Sequence, residues 1–126
     1  MNRALSKTVA YGLGVSRVAI GSVALAVPGF AMKTWLGVDA GSGPVKAMGL
    51  AIGARDLALG AGTLAALRSN TSGKVWLYGG VLSDAADAVA TVRAFSSNPR
   101  NPRMLIALAA AGAAAGGAWA ARQAND

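Results

Sequence analysis

The chain has 126 residues, room for one domain, with 54% hydrophobic and only 13% charged residues. Soluble domains average about 25% charged residues, so this composition indicates a membrane protein. Twelve Lys and Arg against five acidic residues, all Asp, give +7, and there is no Cys or His. Disulfides, thiol nucleophiles, haem ligation by His and nearly all zinc and copper chemistry are thereby excluded, as is the usual general base near neutral pH.

The basic excess falls mostly in short connections between apolar runs, where anionic lipid headgroups are the natural partner. Aromatic residues are few and do not interleave with a basic patch, so nucleic acid is not an expected partner.

After a polar lead, Met1 to Lys7, the stretch Thr8 to Phe30 is long enough to cross a bilayer core. A basic start and an apolar run also describe a secretory signal, but Arg17 interrupts the run and no small-x-small cleavage site follows. Pro28-Gly29 ends the first helix, and residues 31–43 read as a connection carrying Lys33, Trp35 and Asp39, with Trp35 suited to the interface.

Pro44 is a good first helical residue and opens a second span to about Leu67. A tight polar turn leads to a third, Lys74 to Phe95, so the two should be antiparallel neighbours. Ser96 to Arg103 is a rigid basic turn in which Asn101 and Pro102 can start a fourth helix, Met104 to Ala121. That helix is about 27 Å long and only weakly apolar, so it needs packing to stay in place. The expectation is an all-α, four-helix transmembrane bundle. Lysine and arginine are split evenly between its two ends, so the basic lead alone puts both termini in the cytoplasm.

The third span carries Asp84 and Asp87 near its midpoint, where each carboxylate costs about 2.5–3.5 kcal/mol and so needs a partner. Arg17 in the first span and Arg55 with Asp56 in the second lie at similar depth. Gly49, Gly53, Asp56 and Gly60 form one helical stripe, and Gly80, Asp84, Asp87 and Thr91 repeat its spacing, with Ser83 beside them. Arg17 shares a face with Gly14 and Gly21. Glycines let helices approach closely, so each charge lies where a neighbour is expected. The fourth helix offers Gly112-x-x-x-Gly116 and no charge, which reads as packing support.

Two arginines against three aspartates leave one negative charge over, to be met by a proton or a cation. The structural reading makes the cluster interhelical ion pairs that fix register; the functional one makes it a proton relay or ligand site. Asp84-x-x-Asp87 also matches the start of the CDP-alcohol phosphotransferase signature. Ala88 then replaces its Gly, Thr91-Val92 replace its Ala-Arg, and no further Asp follows until Asp126. Too few carboxylates remain for a metal pair, so an enzyme is disfavoured and neither metal nor cofactor is expected.

The run Gly53-Ala54-Arg55-Asp56-Leu57-Ala58-Leu59-Gly60, with Ala66-Leu67-Arg68 and Leu82-Ser83-Asp84-Ala85-Ala86-Asp87, resembles a group of small four-helix membrane proteins common in actinobacteria. The group has no assigned activity, and a single acidic residue in its third span is usual, so Asp84 with Asp87 departs from it. The resemblance implies a multi-pass protein of a bacterial plasma membrane. The expected function is non-enzymatic: a charge-locked bundle that self-associates or serves as an accessory subunit of a membrane assembly. The alternative is a carrier or binding protein for a proton, a cation or a small amphipathic molecule, with Asp84 and Asp87 as the coordinating pair.

Overall fold

A computed structural model describes residues 2–37 and 41–124. Met1 of the lead, Asp39 of the expected connection, and Asn125 and Asp126 of the tail lie outside the described residues. Among the described residues the fold is all-α, but with five helices rather than four: α1 (Asn2–Ala26), α2 (Pro28–Leu36), α3 (Gly43–Arg68), α4 (Lys74–Phe95) and α5 (Met104–Gln123).

The extra helix comes from Pro28. A proline disfavours helical backbone in the residue before it, and Val27 breaks away at φ −137°, ψ 64°. The same proline suits a first helical turn, so the chain restarts at once as α2. Pro28 therefore ends one helix and begins another. Gly37 closes α2 in the left-handed region at φ 66°, its N–H donating to the Lys33 carbonyl. The Arg103 guanidinium lies against Gly37, in the space that a Cβ there would take. The α4–α5 turn is thereby seated on the end of α2.

The start of α5 also differs from expectation. Asn101 does accept a bond, from the Arg103 N–H at 3.0 Å. Its own carbonyl accepts from the Met104 N–H at 2.9 Å, so a tight turn precedes a helix that begins two residues beyond Pro102.

The four long helices alternate in direction. Along α1 and α3, Gly14 faces Gly60 and Gly21 faces Gly53 and Leu57, an antiparallel seam with backbones nearly touching that continues where Pro28 of α2 faces Gly49. Helices α4 and α5 form a second antiparallel pair, with Leu77 packed among Ala10, Ala120 and Ala121. Gly112 does not pack: nothing lies within 4 Å of where its Cβ would be. Gly116 meets only Val9, at 3.8 Å, and Gly117, one step round the helix, takes the close contact with Val81 at 3.0 Å.

Helices α1, α3 and α5 are long and apolar enough to cross a membrane. Helix α4, with 22 residues, has the length but is not one of those three, and it carries Asp84 and Asp87 near its midpoint.

Candidate functional site

The buried residues of α1 are Ser6, Ala10, Gly14, Arg17, Gly21 and Ala24, a stripe at helical spacing. Arg17 is its one charge, and the glycines on either side bring α3 close enough for the guanidinium to reach past it. Arg17 Nη1 donates to Asp56 Oδ1 at 3.2 Å. Its Nη2 donates to Asp84 Oδ2 at 2.5 Å and to the Gly80 carbonyl at 2.9 Å. Gly80 matters because it is small: a Cβ there would stand 3.0 Å from Arg17 Nη2.

Arg55 makes the second bridge. It meets Asp87 with two parallel bonds, Nη1 to Oδ1 at 3.1 Å and Nη2 to Oδ2 at 2.7 Å, the fork geometry that suits guanidinium and carboxylate. Its Nε and Nη2 also donate to Asp56 Oδ1, both at 3.2 Å. The five charges thus form one chain, Asp84–Arg17–Asp56–Arg55–Asp87, alternating in sign and tying α1, α3 and α4 together. Asp56 is its centre and is only 7% exposed.

The remaining site residues divide. Thr91 is buried, donates to the Asp87 carbonyl at 2.7 Å and accepts the Trp35 indole N–H at 3.0 Å. Trp35 therefore fastens α2 to α4. Ser83 is buried with no hydrogen-bond partner for its hydroxyl among the described residues. Gly49 seats Pro28 and Met32, while Gly53 and Gly60 lie at the α1–α3 seam.

Between the charged chain and α2 lies a cavity of about 550 Å³. Arg17, Asp56, Asp84 and Asp87 line one part of it; elsewhere its wall is overwhelmingly apolar. Helix α2 contributes Phe30, Met32 and Trp35, and α5 contributes Ile106, Ala109, Ala110 and Ala113. Helices α1 and α5 meet near Val9 and Leu13 but leave the space beside Ile20 and Val23 unfilled. Ile20 and Phe30 are 58% and 65% exposed, so the cavity opens sideways through an apolar mouth. A second void, of about 10 Å³, borders Arg17, Gly80 and Asp84, room for about one water.

The charged cluster is visible in sequence, but the α2 wall is not, since Phe30, Met32 and Trp35 belong to a stretch that reads as a connection. The α5 wall is hidden for another reason: alanines at helical spacing look the same whether they pack tightly or border a void. Among the described residues no group of His, Cys, Asp or Glu can hold a metal ion. No family model, no curated protein and no solved structure matches the chain.

Proposed function

We propose that this is a non-enzymatic, multi-pass protein of a bacterial plasma membrane that holds a small amphipathic molecule in the cavity under α2. The five-charge chain locks the interior around that cavity. The observation that carries this reading is the juxtaposition of about 550 Å³ of mainly apolar space with three carboxylates at its inner end. A charge network serving stability alone does not require an open apolar recess beside its carboxylates. An apolar pocket with a few convergent polar groups is the usual form of a small-molecule site.

Geometry supports α4 as a further span. Helices α3 and α5 run in the same direction and are joined to α4 by short turns, so if both cross the bilayer the chain must return through α4. Its aspartates can lie at depth because arginines meet them. Four crossings leave both termini on one side, and the basic lead favours the cytoplasm. The basic turns at the helix ends suit anionic headgroups. Self-association, or docking in a larger assembly, is a companion reading favoured by Gly112, whose open face on α5 is free for another helix.

The test uses the protein in phosphatidylcholine nanodiscs with Trp76 and Trp119 changed to Phe, leaving Trp35 in the cavity wall as the sole tryptophan. An 11-bromoundecanol probe should quench its fluorescence saturably. Ala110→Phe, which places a ring in the cavity, should weaken that quenching at least about tenfold, roughly 1.4 kcal/mol. Unsaturable quenching, equal in both proteins, would mean partition into lipid only and would end the proposal.

A further inference from the structure

The charge balance and the hydrogen-bond pattern indicate which amphiphile fits. Two guanidiniums face three carboxylates, so with all five ionised one negative charge is uncompensated. The arginines are also unevenly shared. Every bond that Asp56 accepts falls on Oδ1, from Arg17 once and Arg55 twice. The bond that Asp84 accepts falls on Oδ2. Asp56 Oδ2 and Asp84 Oδ1 are therefore left without a donor among the described residues, although Asp56 is more than nine-tenths buried and both residues line the cavity. Only Asp87 has both oxygens engaged.

A carboxylate oxygen left facing a mainly apolar cavity is met best by a donor, and unbalanced charge in an apolar setting needs a counter-charge. The protein's own cations do not supply either, since Arg17 and Arg55 bond the other oxygens and neither reaches these two. From the cavity side the missing group is a single positive charge bearing N–H bonds. The rest of the cavity is apolar and opens through Ile20 and Phe30, which asks for a hydrocarbon chain behind that charge.

Resting on the binding role proposed above, we infer that the cavity takes a single-chain amphiphile with an N–H-bearing cationic head, an alkylammonium, docked on Asp56 and Asp84 with its tail under α2. This selectivity opposes that of the chain as a whole. With a net charge of +7, the protein's exterior attracts anions. A preference for cations can come only from the interior site.

The same Trp35-only protein in phosphatidylcholine nanodiscs is titrated with three 11-bromoundecyl probes bearing an ammonium, a hydroxyl or a carboxylate head. The ammonium probe should reach half-quenching at a concentration at least about tenfold below that of the alcohol, with the carboxylate weakest. A trimethylammonium probe should lose most of the advantage, because it has charge but no N–H. Asp84→Asn, or Asp87→Asn if the first does not fold, brings the count to two against two and should level ammonium with alcohol.

If alcohol and ammonium quench saturably and equally, the cavity binds amphiphiles but the cation selectivity is refuted, and a proton balances the charge instead. A carboxylate probe that binds tightest refutes it as well. If none quenches saturably, the binding reading itself has failed.

Discussion

Asp56 and Asp87 carry the same charge in the same network, yet their substitution should not cost the same. Asp56 takes bonds from both arginines and its side chain is 11% exposed, whereas Asp87 serves Arg55 alone and is 21% exposed. Removing one partner of a buried pair leaves the other charged and unmet, at a cost of about 3–5 kcal/mol. Asp56→Asn takes bonds from both guanidiniums but leaves Arg17 on Asp84 and Arg55 on Asp87, and belongs at the lower end of that range. Asp87→Asn takes the fork from Arg55 alone, which keeps Asp56 and is 32% exposed, and should fall well below it. Thermal unfolding in mild detergent, followed by circular dichroism, should give the order Asp56→Asn least stable, then Asp84→Asn, then Asp87→Asn. A flat series would mean the five groups do not act as one chain. The participants in this network are legible in the sequence because charges on an apolar background stand out, and all but Arg55 fall on their helix's small-residue stripe. Who pairs with whom is not legible. That Arg17 reaches past α3 to α4 depends on the space left at Gly80, which no periodicity reveals.

At the level of elements, glycines identical in sequence have opposite standing. A Cβ on Gly21 would come within 2.6 Å of the Leu57 amide nitrogen and 2.7 Å of the Gly53 carbonyl, both backbone atoms that cannot turn aside. Gly21→Ala should therefore force α1 from α3 and lower the thermal midpoint, by an overpacking penalty of about 1–3 kcal/mol. Gly112→Ala meets nothing and should be neutral or stabilising, by up to about 1 kcal/mol from helix propensity. Measured side by side, equal effects would contradict the seam described here. The Gly-x-x-x-Gly spacing finds close approaches in α3 but not in α5, because it fixes a face without saying which way that face points. Pro28 carries a similar ambiguity. A proline marks a helix end and a helix start alike, and nine residues of α2 are too few to show periodicity of their own.

For the whole molecule, the bundle is held by an alternating set of charges whose members are far apart along the chain. Arg17 and Asp84 are separated by 67 positions, and Arg17 and Asp56 by 39. During synthesis at about 5–20 residues per second, α1 leaves the ribosome roughly 3–13 seconds before Asp84 does. In a bilayer its guanidinium would lack any acidic partner until Asp56 follows, at a cost of about 2.5–3.5 kcal/mol, and would lack its α4 carboxylate throughout that delay. The charge of the first helix is thus only partly paired until the third long one arrives. A nascent chain released after Arg68 should extract from membranes with alkaline carbonate and be cleared by proteolysis, while one released after Ser96 should resist both. Arg17→Leu should narrow the difference, so that quality control of this protein amounts to waiting for the carboxylates of α4.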